Sequence, residues 1–137
     1  MDPYEDPQRP LTTRGHRQAE WLAEQAKAKG IVPAVIWHSG KLRSRQTAEP
    51  FLRLCNPMAS FTMVRGLNPG DGASAVRDAL LRETREILLV GHRPHIYDLL
   101  RSMSPQSAMF PTHGMVVLEF VDKSATWREL WRVQAAM

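Results

Sequence analysis

Two short apolar runs constrain this chain more than any other feature: Ala34-Val35-Ile36-Trp37 and Ile87-Leu88-Leu89-Val90. Both are continuous rather than alternating. A strand with one face in water alternates polar and apolar residues, whereas a strand covered on both faces does not need to. Each run leads at once into a polar turn containing glycine, and then into a segment with helical spacing. Buried strand, turn and helix in repetition is the pattern of a mostly parallel sheet covered by helices.

The remaining elements follow from local signals. Thr12 suits an N-cap, and Ala19, Leu22, Ala23 and Ala26 share one helical face that ends at Gly30, a C′ residue. Ser39-Gly40 opens a second helix over 41–54, in which Pro50 should cause a kink or a split. Phe61–Val64 reads as a short strand, followed by a loop over Gly66–Gly72 and a third helix carrying Val76, Ala79 and Leu80. Pro94 sits at the start of a fourth helix, with Ile96, Leu99, Leu100 and Met103 facing inward. Met115–Val121 and Trp127–Val133 form a hairpin across Asp122-Lys123-Ser124-Ala125. The expectation is an α/β three-layer sandwich with a mostly parallel sheet and a C-terminal hairpin, in a single domain over 1–137. The order begins on a helix, as though the first strand of the first unit were missing.

Composition removes several classes. The chain has 43% hydrophobic and 23% charged residues, which suits a globular protein. One cysteine excludes a disulfide framework or a cysteine-rich zinc site. A net charge of +4 permits an anionic partner without indicating nucleic acid, and the four tryptophans are too scattered to form a stacking platform. No apolar run approaches a membrane span, and the opening residues lack the pattern of a signal peptide, so a cytoplasmic protein is expected. A nucleoside-triphosphate P-loop is absent.

Two turns carry the chemistry, because ligands of open α/β sheets sit beyond the carboxyl ends of the strands. The turn His38–Ala48 puts Arg43 into the first turn of a helix, where free amides already favour an anion. The turn Val90–His95 puts His92 at a strand end ahead of another helix. An arginine and a histidine so placed suit a phosphoryl group. Each also has a plain reading, as a solvated surface arginine and as a turn histidine. His92 and His95 lack the partners of a metal site, and Cys55 lacks the surroundings of a thiolate nucleophile.

At these residues the chain resembles the histidine phosphatase superfamily, and within it the small phosphohistidine phosphatases of the SixA type. Arg9-Pro10-Leu11-Thr12 with Gly15, Gln18 and Ala19 resembles the opening segment of that family. His38–Glu49 resembles its segment ending Gln-Thr-Ala-Glu, and Leu88–His95 resembles its Leu-Leu-Val-Gly-His segment. The resemblance implies a phosphoglycerate-mutase-like fold. It implies hydrolysis of a phosphohistidine or phosphomonoester through a phosphorylated histidine, with cationic side chains neutralising the phosphoryl charge. By the match, Arg43 and His92 bind phosphate, and His92 is the second histidine of the catalytic set. No metal or other cofactor is expected. The partner would be a phosphorylated protein or a small phosphoester, with no nucleic acid and no membrane. Asp71 and Glu5 are candidates for the general acid.

One departure is large. The Arg-His-Gly motif that supplies the family's nucleophile is absent from these residues. His16 falls inside the first helix, and His38 matches no nucleophile of the family. The expectation is therefore a chain that is inactive as it stands, the alternative being a non-catalytic phosphate-binding or protein-interaction module. A start assigned too late would explain the gap, with an apolar strand and Arg-His-Gly encoded in frame upstream of Met1. Omitting that strand would remove about 8–15 kcal/mol of burial and expose unpaired strand edges.

Overall fold

The computed structural model describes residues 8–67, 71–121 and 126–136. The elements in chain order are α1 (Thr13–Ala28), β1 (Val35–His38), α2 (Leu42–Cys55), β2 (Ser60–Met63), α3 (Ser74–Arg82), β3 (Ile87–Leu89), α4 (His95–Met103), β4 (Gly114–Val121) and β5 (Thr126–Gln134). The chain gathers into two compact units. The described part of the first comprises residues 8–64 and 85–91, and that of the second 65–84 and 92–136.

The first unit holds a parallel three-stranded sheet in the order β2-β1-β3. The continuous apolar run of β1 is explained by its central place: Val35, Ile36 and His38 are buried and Trp37 is half-buried. The equally apolar run of β3 is different. Ile87, Leu88 and Leu89 are all half-buried, because β3 pairs with β1 on one side and, among the described residues, with nothing on the other.

Both ends of α1 form as the sequence implies. The Thr12 hydroxyl accepts from Gly15 N at 3.0 Å. At the other end Ile31 N donates to Ala26 O, and Gly30 N to Lys27 O, both at 3.0 Å. These two bonds cap the last carbonyls, and they place Gly30 in the left-handed region at φ +76°. Gln18, Ala19, Leu22, Ala23 and Ala26 form the buried face.

α1 and α2 lie side by side and run in the same direction. Leu11 N donates to Gln46 Oε1 at 2.8 Å, Glu20 pairs with Arg53 at 2.6 Å, and Cys55 Sγ reaches Ala23 O at 3.6 Å. The partners advance together along both helices. α2 continues unbroken through Pro50, so the split that proline suggested does not occur. Pro50 has no amide to give the Gln46 carbonyl, yet it is buried beside Ser44, Ala48 and Phe51, and packing of that face holds the helix.

In the second unit α3 packs on α4, and α4 on β5. Leu67, Val76, Leu99, Leu100, Met103, Met115 and Ala135 are buried. The inner face of α4 differs from the expected one. His95, not Ile96, is buried at 1% exposure, because residues 95, 99 and 103 repeat at four-residue spacing. β4 and β5 form the expected antiparallel hairpin, with Leu130 as an extra residue opposite the Val117/Leu118 step. The Asp122–Ala125 turn lies outside the described residues. The α/β class, the parallel sheet and the C-terminal hairpin are thus as the sequence implied.

Two glycines make a stability test. Gly30 has open space where a Cβ would stand. Gly40, at φ +89°, has Met63 Sδ 2.5 Å from that position. Gly30→Ala should lose only the backbone preference, about 1 kcal/mol. Gly40→Ala should lose that and displace Met63, about 3 kcal/mol in total. Urea midpoints of the two variants check the order.

Candidate functional site

β1 ends at His38, and the chain turns through Ser39, Gly40 and Lys41 into α2. Side chains of the turn hold it in place. The buried Ser44 hydroxyl accepts from Ser39 N at 3.1 Å, His38 Nδ1 accepts from Gly40 N at 3.1 Å, and Ser39 Oγ accepts from Lys41 N at 3.4 Å. These bonds occupy the turn amides. The helix itself first bonds at Arg45 N, to Lys41 O at 3.0 Å. The amides of Leu42, Arg43 and Ser44 lie at the positive end of the helix dipole. Arg43, half-buried, is the second residue of α2 and stands on that first turn, as its spacing implied.

Ser44 is the residue that sequence reasoning undervalued. In the fold it is 2% exposed and braces the entry to the Arg43 turn. The available signal was a small hydroxyl five residues after Ser39, a spacing that an Ala cannot use.

His38 is held tightly. It is 4% exposed, its ring lies 4.7 Å from that of Phe61, and its carbonyl accepts from Val64 N at 2.8 Å. Because Nδ1 accepts a bond, Nε2 carries the proton of the neutral ring. Burial holds its pKa below the ordinary value, and the positive charge of Arg45 lowers it further. His16 is exposed on α1.

The second turn leaves the same end of the sheet as the first, since β3 runs parallel to β1. Val90 N donates to Trp37 O at 2.9 Å, which carries the pairing one residue past the strand. Gly91 is the last described residue of the first unit, and His92 begins the second segment of the second unit. His92 is half-buried, and its carbonyl accepts from Ile96 N at 2.8 Å, joining it to the start of α4. His95 belongs to the second unit and is buried there, and its Nε2 donates to Gly72 O at 3.3 Å. That bond ties the start of α4 to the loop next to Asp71. Asp71 is exposed, and Glu5 lies outside the described residues. The Cys55 thiol is the last residue of α2, and burial raises its pKa, as suits a packed rather than a reactive sulfur. An open cleft of about 710 Å³ in the second unit is lined by Ser104, Gln106, Trp127 and Glu129 among others, and includes neither Arg43 nor His92. Among the described residues no group of three or more His, Cys, Asp or Glu could hold a metal ion. No helix of the described residues is long and apolar enough to cross a membrane.

The sequence profile of the histidine phosphatase superfamily (branch 1) matches residues 4–68, the stretch that contains the Arg43 turn. Among solved structures, the protein histidine phosphatase SixA complexed with tungstate superposes with a TM-score of 0.83 at 25% identity, over 95% of this chain and 86% of that one. The chain has a SixA-type histidine phosphatase fold. A SixA protein from Agrobacterium tumefaciens shares the SixA-type fold with a TM-score of 0.78 at 23% identity, over 96% of this chain and 86% of that one. A phosphoglycerate mutase from Plasmodium falciparum is similar in fold at a TM-score of 0.61 and 17% identity, over 87% of this chain and 91% of that one. No curated protein sequence matches the chain.

His38 gives this SixA-type fold a pH dependence. The folded protein holds the imidazole neutral below its ordinary value of 6.5, whereas the unfolded chain protonates it there. The stability this residue contributes is full above that value and is withdrawn as the pH falls below it. Melting temperature should therefore drop between neutral pH and pH of about 5. In His38→Asn, whose Oδ1 can still accept from Gly40 N, the drop should be shallower. An equal slope in both proteins would assign the acid sensitivity to other groups.

Proposed function

We propose that residues 1–137 act as one histidine-phosphatase-like domain that recognises a phosphoryl group through Arg43 and His92, with a phosphorylated protein side chain in the cytoplasm as its natural ligand. The observation that carries this reading is the Arg43 turn. It is a braced strand-to-helix turn that puts the Arg43 guanidinium at the positive end of the α2 dipole, a placement that suits the oxygens of a phosphoryl group. Support comes from the tungstate complex of the similar SixA structure, because tungstate is a tetrahedral oxyanion like phosphate.

The proposal includes an absence of turnover by these residues alone. A nucleophilic imidazole needs a free nitrogen lone pair near the phosphorus. The His38 Nδ1 lone pair accepts from Gly40 N, and His16 projects from an exposed stretch of α1. Neither matches the histidine that attacks phosphorus in the superfamily. With recognition kept and the attacking group unmatched, the same residues also support the second reading, a module that binds phosphate without hydrolysing it.

Tungstate binding by calorimetry tests recognition. Arg43→Ala and His92→Ala should each weaken it about 10- to 150-fold, the equivalent of losing one charge-assisted contact of about 1.5–3 kcal/mol. Unchanged affinity in both would return the two residues to ordinary surface and turn roles. Phosphate release from a phosphohistidine peptide tests turnover. None is expected, and release abolished by His38→Asn or His16→Ala would identify a nucleophile that the reading omits.

A further inference from the structure

Two helix starts in the second unit lack the side-chain cap that commonly holds such an end. Ala73 precedes α3 and Pro94 precedes α4, and neither makes a side-chain capping bond. One imidazole joins them. His95, the first residue of α4, donates from Nε2 to Gly72 O at 3.3 Å, across 23 residues of chain. Gly72 stands just ahead of Ala73 and Ser74, where α3 begins. His92 belongs to the same start of α4, because its carbonyl accepts from Ile96 N at 2.8 Å.

Packing alone does not favour a histidine here. His95 is almost fully buried, and its companions at four-residue spacing are Leu99 and Met103. Nε2 carries the proton that Gly72 O accepts, so the lone pair stands on Nδ1. Nδ1 is buried and has no partner among the described residues. A leucine would fill the same stripe and leave no polar atom unsatisfied. What the imidazole supplies, and a leucine cannot, is the bond to Gly72.

The turn of Arg43 offers a comparison. There the buried hydroxyl of Ser44, in the first turn of α2, accepts from Ser39 N and braces the approach to the helix. His95 is likewise a buried polar side chain in the first turn of a helix, bonded to loop backbone. The loop it holds is firm at its other end too, where Leu67 is fully buried.

We propose that His95 is a positioning residue of the phosphate site: its bond to Gly72 holds the uncapped start of α4, and with it the His92 imidazole, in the orientation that meets a phosphoryl oxygen. This role rests on the phosphate-recognition reading and extends it to a residue too buried to touch the ligand. Without the bond the first turn of α4 frays, and His92 is correctly placed for a smaller fraction of the time. Apparent affinity falls by that fraction.

Tungstate binding by calorimetry, with the full 137-residue chain, tests this. His95→Leu should weaken binding about tenfold, the effect of a competent fraction cut to about one tenth. His95→Gln, whose amide nitrogen can still donate to Gly72 O, should stay within about threefold of the wild type. The decisive readout is non-additivity. Adding His95→Leu to His92→Ala should weaken binding no further, because the contact that His95 orients is already gone. A second loss of about tenfold in the double variant overturns the role, since general loosening of the core would weaken whatever contacts remain. Wild-type affinity in His95→Leu, with His92→Ala weakened, overturns it as well. Should His95→Leu fail to melt cooperatively, NMR of the wild-type chain decides. Coupling is reciprocal, so saturating tungstate should slow solvent exchange of the His95 Nε2 proton at least about threefold, and an unchanged rate overturns the role. Failure of the underlying reading looks different: His92→Ala by itself then leaves tungstate affinity unchanged, before anything is altered at His95.

Discussion

The pairing of β1 with a parallel neighbour on each side is the constraint on which the first unit depends. Val35, Ile36, Trp37 and His38 align with Ser60–Met63 on one edge, and Val35–Trp37 align with Ile87–Leu89 on the other. Double pairing satisfies the backbone of β1 and lets its side chains be buried almost without interruption. It also aims the carboxyl ends of β1 and β3 the same way. The turn that carries Arg43 and the segment that leads to Gly91 therefore leave one end of one sheet. Strain at the β1 turn is absorbed by glycine, with Met63 lying over Gly40 where a side chain would otherwise stand.

The pairing of α1 with α2 is a second layer of the same design. Small residues on α1, namely Ala19, Ala23 and Ala26, let the two helices approach closely. Polar groups fix their register at three heights, through Gln46, through Arg53 with Glu20 and Glu49, and through Cys55. The exposed ion pairs are worth little on their own. Their value here is directional, since they keep the amino ends of both helices level and place two dipoles beside one strand end.

Much of this was legible beforehand. The strand runs, the Thr12 and Gly30 caps, the buried face of α1 and the position of Arg43 in the first turn of α2 all rest on interactions within a few residues, which sequence spacing reports directly. The motifs around Arg43 and His92 pointed to the SixA-type fold before any coordinates did, because turns that hold anions need particular residues at particular offsets.

Other features depended on partners far away in sequence. The run Ile87–Leu89 is as apolar as β1, yet it is half-exposed, because sheet position and not composition decides how many faces are covered. His95 looked like a turn residue beside Ile96, but it is core, because a loop from Gly72 supplies the carbonyl that its Nε2 needs. Pro50 continues a helix that its local chemistry would end, because its neighbours on α2 are buried. The sequence by itself determined the elements, their order and the two anion-suited turns, since these follow from backbone period and local hydrogen bonding. Only the tertiary structure decided which apolar strand is central, which histidine is buried, and that α1 and α2 lie side by side, since each of these is set by which distant segments pack together.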